Sequence, residues 1–255
     1  MTDSELIYLQ QCGTNRIKQM NSIGIFTLED LINADENFLK QLPGVYDWHV
    51  KRWKLQAESL LKNKTLILKK PPDHSEFIYY DIETDVGQTM VWLIGVYNPQ
   101  KDEFRQFLAK TPKEERNILN DFLDYLNNQT SMKLCSYSGS RFDRRVLQKR
   151  FCNHSIESLP FERRIEMDLG IEIQHMLLAK IKDYQLKTVG NFFGYPWKYK
   201  NKMDGLLVAL TYQRYQRDNT YKINWKQLLK YNKDDVLAIP HIIKKMNEIY
   251  KQNIE

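Results

Sequence analysis

The chain has 255 residues, of which 42% are hydrophobic and 27% charged, with a net charge of +6 and an isoelectric point near 9.0. This is the composition of an ordinary globular protein, one large domain or a medium one with a small partner, and the positive balance points to a polyanionic partner. Three cysteines without paired spacing (Cys12, Cys135, Cys152) exclude a disulfide framework and a cysteine zinc site, and no apolar run approaches the ~20 residues of a membrane span.

The start, Met1-Thr2-Asp3-Ser4-Glu5, is acidic and polar, unlike a signal or transit peptide, so a cytoplasmic protein with no membrane partner is expected. Residues up to about 70 read as helices with short breaks. Leu6, Leu9, Ile17, Met20 and Ile23 recur at helical spacing. Thr27, followed by Glu29 and Asp30, predicts an N-cap and an acidic first turn for a short helix over 28–34. A second short helix is expected over 37–42 and a long basic one over 46–62, separated by Leu42-Pro43-Gly44-Val45. Residues 65–68 read as a short strand or as the end of the basic helix. Pro71 and Pro72 then block both helix and central strand. The expected division is a small all-α domain over 1–64, a linker over 65–75 and a second domain over 76–255.

Ile23-Gly24-Ile25 and Leu42-Pro43-Gly44-Val45 resemble the two hairpins of the helix-hairpin-helix family, in which a glycine joins two short helices. Glycine allows a tight turn and a close approach to phosphate, and the N–H groups opening the next helix bind the anion. Charge favours the second hairpin. Residues 1–39 hold two basic and six acidic residues, and residues 40–70 hold eight basic and two acidic. Gly44 with Lys51, Arg52 and Lys54 are the expected phosphate contacts, independent of base sequence. The competing reading is a small helical bundle with Gly as an ordinary C-cap and solvated lysines.

In the second domain the aromatic and β-branched run 77–80 predicts a buried strand that breaks into Asp81-Ile82-Glu83. Alternation along a strand puts Asp81 and Glu83 on one face. Two carboxylates there raise each other's pKa unless a divalent cation sits between them, so Asp-x-Glu reads as a metal site, with a solvated strand end as the competing reading. Further strands are expected over 89–97 and 103–109, and Thr111-Pro112 opens a helix whose core stripe is Ile118, Leu119, Phe122, Leu123 and Leu126. A fourth strand is predicted over 132–137, a helix over 142–151, a fifth strand over 165–169, and mostly helix from about 171. Three strands in meander order, then strands alternating with helices, is the order of a ribonuclease H-like α/β layer: a mixed central sheet flanked by helices.

Ser138-Gly139-Ser140-Arg141-Phe142-Asp143 leads from the fourth strand into a helix, placing Asp143 in its first turn. In the last helix Tyr231 and Asp235 are four apart and share a face, whereas Asp234 lies some ~100° round. These segments resemble the three motifs of the DEDD 3′–5′ exonucleases, which have a ribonuclease H-like fold. Asp81 and Glu83 match the first motif, Phe142-Asp143 the second, and Tyr231 with Asp235 the Tyr-x-x-x-Asp of the tyrosine subclass. The histidine subclass would need His where Lys230 stands. Many members carry Asn where this chain has Ser138, and a hydroxyl reaches less far than an amide, which bears on positioning of the substrate strand.

The resemblance implies a metal-dependent exonuclease that releases nucleoside 5′-monophosphates from the 3′ end of DNA, single-stranded or at the end of a duplex. Hard oxygen ligands imply two Mg²⁺ or Mn²⁺ ions held by Asp81, Glu83, Asp143 and Asp235, with Tyr231 orienting the attacking water. An exoribonuclease is one alternative; a binding protein that keeps the fold with little catalysis is the other, with Ser138 its only support. Asp168 is expected to hydrogen-bond structurally, and His49, His154, His175 and His241 show no ligand spacing. The aromatic loop 195–200, with Trp197, either stacks on the terminal base or packs down on the protein. No protein partner is legible.

Overall fold

The computed structural model describes residues 5–10, 12–129, 131–198, 203–218 and 220–254. The chain divides into two compact units, one of residues 1–71, 173–189 and 246–255, the other of residues 72–172 and 190–245.

The first unit begins with a 3-10 turn, Glu5–Tyr8, followed by α1 (Thr14–Ser22), α2 (Leu28–Asn33), α3 (Glu36–Leu39) and α4 (Asp47–Leu61). Each joint has a local cause. Thr27 and Asp30 form a capping box at α2, and the Asp35 carboxylate accepts the Asn37 and Phe38 N–H groups at α3. Gly24 and Gly44 sit at φ 85° and 69°, the left-handed region that side chains resist. Leu6, Met20, Leu28, Leu31, Val50 and Trp53 are its fully buried core. Residues 65–68, read as strand or helix end, contain strand β1 (Leu66–Ile67), which pairs antiparallel with Leu177–Leu178. The stretch expected as linker thus has backbone groups taken up in a ladder, and the unit draws on later chain.

The second unit is built on a five-stranded mixed sheet of β2 (Phe77–Thr84), β3 (Val91–Asn98), β4 (Glu103–Leu108), β5 (Lys133–Ser136) and β6 (Glu166–Asp168), in spatial order β4-β3-β2-β5-β6. The first three strands run antiparallel, and β5 and β6 add in parallel. This is the ribonuclease H-like layer expected from the order of elements. Val91 to Val96 is buried throughout, the mark of a central strand covered on both faces. The covering helix α5 (Glu115–Asn127) buries Ile118, Leu119, Phe122, Leu123 and Leu126. A 3-10 turn, Pro112–Glu114, leads into it, where Glu114 accepts the Lys110 and Thr111 N–H groups. Then come α6 (Asp143–Asn153), α7 (Leu159–Glu162), α8 (Leu169–Met176), α9 (Leu186–Phe192), α10 (Gly205–Arg217) and α11 (Trp225–Ile254).

Two buried glutamates tie this unit together. Glu115, 2% exposed, accepts the Val91 N–H and two guanidinium bonds from Arg150, and its second oxygen lies 2.8 Å from His154 Nε2. Glu166 accepts the hydroxyls of Tyr80 and Ser136 at 2.7 Å and the Arg144 guanidinium at 2.8 Å. Among the described residues no helix is long and apolar enough to cross a membrane.

Candidate active site

Four elements of the second unit converge on one open cavity of about 420 Å³. Strand β2 contributes Asp81 and Glu83 to its lining. The turn after β5 and the start of α6 contribute Ser138, Phe142 and Asp143, helix α10 contributes Gly205, Leu206 and Ala209, and α11 contributes Tyr231 and Asp235. Alternation along β2 delivers the first pair to one side, and a slip in the β2–β3 pairing falls between Glu83 and Thr84, just past it. The four-residue spacing on α11 brings Tyr231 and Asp235 to the same opening. Helix α6 begins at Asp143 itself, with Phe142 in the cap position, so the carboxylate is in the first turn rather than serving as N-cap.

The carboxylates are close to the limit of what a protein interior tolerates. Glu83, Asp143 and Asp235 are 6%, 5% and 8% exposed. Burial, then the charges of Glu83, Asp143 and Asp235, push the Asp81 carboxyl well above the usual carboxylate range, against a hydrogen bond from Asn232 that favours its anion. Burial, with Glu166 and Asp168 beside it, pushes Asp143 up to about 8. Among the described residues no three His, Cys, Asp or Glu side chains are already closed on one point at metal-ligand spacing. The donor chemistry nonetheless fits a hard divalent cation. All four groups offer carboxylate oxygen, they surround one cavity, and a cation there would relieve the like-charge crowding that raises Asp81.

The turn between β5 and α6 is held from behind. Asp168 accepts the N–H groups of Ser138, Ser140 and Ile171 and the Ser140 hydroxyl. Ser138 takes φ 60° there. A Cβ on Gly170 would lie 2.5 Å from the Ser138 hydroxyl, and one on Gly139 would lie 2.4 Å from Asp143 Oδ2. Both glycines are therefore spatial requirements of the turn. Asp168 itself lies outside the cavity lining, as a hydrogen-bonding residue. Asp234 also faces elsewhere, accepting the Lys198 N–H at 2.9 Å.

Sequence reasoning missed Asn232, fully buried next to Tyr231, whose amide reaches Asp81. The available signal was Gly95, a glycine inside an otherwise apolar strand, which marks close approach of another group. An added Cβ at Gly95 would stand 2.2 Å from the Asn232 side-chain oxygen.

The other sequence candidates distribute differently. Trp197 packs against Gly190, where a Cβ would come within 2.6 Å of its ring, and meets Tyr195 edge-on at 4.7 Å. Tyr199 and Lys200 lie outside the described residues. In the first unit Gly44 turns the second hairpin and Lys51 is exposed. Arg52 and Lys54, expected on phosphate, are engaged internally. Arg52 donates to the Gln10 side chain and to the carbonyls of Gln174 and His175. Lys54 donates to the carbonyls of Ile32 and Ala34 at 2.9 and 2.6 Å, satisfying the end of α2. His154 meets Glu115, and His241 Nε2 lies 2.9 Å from the Phe193 carbonyl.

In fold the chain is similar to the family B DNA polymerase from the hyperthermophilic archaeon Pyrobaculum calidifontis, with a TM-score of 0.51 and 16% identity over 68% of this chain and 26% of that one. It spans about a quarter of the polymerase's length. The Aedes aegypti Nibbler EXO domain gives a TM-score of 0.40 and 15% identity over 70% of this chain and 81% of that one. No curated protein matches the chain. Residues 78–247, a span that includes all four cavity carboxylates and Tyr231, match the RNase_H superfamily, and the chain belongs to that superfamily.

Proposed function

We propose that the chain is a 3′–5′ exonuclease that hydrolyses the terminal phosphodiester bond of DNA and releases nucleoside 5′-monophosphates. The observation that carries this is the convergence of Asp81, Glu83, Asp143, Asp235 and Tyr231 on one open cavity in a superfamily fold. Asp81, Glu83, Asp143 and Asp235 are the residues that would hold two Mg²⁺ or Mn²⁺ ions. When bound, such ions supply Lewis-acid charge that eases deprotonation of the attacking water and stabilises the departing 3′-oxygen. The remaining work belongs to the protein. Tyr231 lines the cavity, and its hydroxyl is the group that would orient the water. Phe142, Leu206 and Ala209 add apolar surface to the lining, against which the terminal nucleoside would pack. Ser138 lines the same cavity, and its hydroxyl is the group that would meet the substrate strand. In the first unit, the second hairpin with Gly44 and Lys51 is the element suited to a phosphate backbone.

The test uses 3′- and 5′-labelled single- and double-stranded DNA and RNA with Mg²⁺, Mn²⁺ or EDTA. Metal-dependent shortening of DNA from the 3′ end, abolished by EDTA, is expected. Faster degradation of RNA would replace DNA as the substrate, and binding without cleavage in both metals would reject the enzyme.

A further inference from the structure

Asp81, Gly95 and Gln106 form one row across three strands: Asp81 on β2 pairs with Gly95 on β3, and Gly95 pairs with Gln106 on β4. Directly paired residues share a face, so the two side chains flank a gap left by glycine. Asn232, on α11 and 0% exposed, drops its amide into that gap. Its Nδ2 donates to Asp81 Oδ2 at 2.9 Å and to the Asp81 carbonyl at 3.3 Å. Its Oδ1 accepts from Gln106 Nε2 at 2.9 Å.

The direction of this relay is set at its far end. Gln106 Nε2 also donates to the Leu229 carbonyl at 2.8 Å, and a carbonyl can only accept. The nitrogen of Gln106 is therefore turned toward Leu229 and Asn232. Asn232 must answer with its oxygen, which leaves its nitrogen for Asp81. An amide reversed at either position would set two acceptors, or two donors, against each other in a buried site.

We propose that Asn232, aimed by Gln106 and admitted by Gly95, is the positioning residue that engages Asp81 Oδ2 and so presents Oδ1 as the oxygen Asp81 offers to a cation in the cavity. This rests on the metal-dependent reading of the site. Asn232 touches neither substrate nor reacting atoms; it acts through Asp81.

The experiment measures Mn²⁺ binding to the full chain by electron paramagnetic resonance, without nucleic acid, alongside the Mg²⁺ dependence of turnover. Asn232→Asp keeps the shape but replaces the donor facing Asp81 with an acceptor. Gln106→Glu, at a half-buried position, removes the donor that orders the relay. Both variants are expected to weaken Mn²⁺ binding and to raise the half-saturating Mg²⁺ concentration by roughly 10–100-fold, the usual consequence of losing an outer partner of a ligand. KM for nucleic acid at saturating Mg²⁺ should change little. Should Asn232→Asp fail to fold, Gln106→Glu decides alone. Folded variants that bind Mn²⁺ as tightly as wild type would overturn the inference while leaving the nuclease reading in place. A wild-type chain that neither binds Mn²⁺ nor cleaves would overturn that reading and this inference with it.

Discussion

Glu115 and Asp81 are carboxylates of the same unit, yet their surroundings are opposite. Glu115, like Glu166, is met by an arginine guanidinium and further donors, so its charge is answered by the protein. Asp81 is crowded by Glu83, Asp143 and Asp235, and an amide from Asn232 offsets only part of that crowding. The first arrangement is a structural joint, whose removal from one side exposes a buried opposite charge. The second is a set of like groups crowded together, which only a cation or a bound proton can relieve. Burial of an acid is thus uninformative by itself; what faces the acid distinguishes a brace from a site.

The comparison can be broken most directly at its two poles. Asp81→Asn is expected to lower turnover by on the order of 10³-fold, the scale of losing a principal charge-stabilising group, while thermal stability in EDTA is equal to wild type or higher. Glu115→Gln should do the reverse. It strands Arg150 and is expected to cost about 3–5 kcal/mol in urea unfolding, with turnover per folded molecule unchanged.

A subtler effect lies in pH. A carboxyl raised in the fold from 3.8 to about 8 binds a proton in the native state that the unfolded chain has already released. Its contribution to stability is therefore full below pH 3.8 and is lost as pH rises toward 8. In EDTA the melting temperature should fall between pH 5 and pH 8, and Asp143→Asn should flatten that slope. An equally steep slope in the variant would remove Asp143 as its source.

The smallest effect separates cations in the first unit. Lys51→Glu should weaken DNA binding and reduce the slope of log K against log salt by about 1 or more. Arg52→Met should instead lower stability, because its guanidinium serves Gln10 and the carbonyls of Gln174 and His175. Equal salt slopes for wild type and Lys51→Glu would remove the second hairpin from nucleic-acid contact.

Much of the fold and the candidate site was legible because it depends on local periodicity. The two-residue alternation of β2 pairs Asp81 with Glu83, and the four-residue repeat of α11 selects Asp235 over Asp234. The capping signals at Thr27 and Thr111 open their helical segments where the sequence predicts. What escaped depends on long-range pairing. Arg52 and Lys54 look like solvated cations after a glycine hairpin, but whether a cation meets phosphate or a carbonyl depends on which chain ends lie nearby. Asn232 escaped for the same reason: its importance exists only once Gly95 and Gln106 are laid in register beside Asp81.

Ser138 bends the backbone into the left-handed region under restraint from Asp168, which accepts both its N–H and that of Ser140. Asparagine, the residue many members of the resembled family carry there, enters that region more readily than serine. The two positions are therefore expected to be epistatic. With serine at 138, Asp168→Ala removes both acceptor oxygens from a turn that has little intrinsic preference for its shape; after Ser138→Asn, the same change at 168 falls on a backbone already inclined to it. The order of substitution should then matter: asparagine first leaves an accessible path to a chain without the Asp168 carboxylate, and Asp168→Ala first passes through the less stable intermediate.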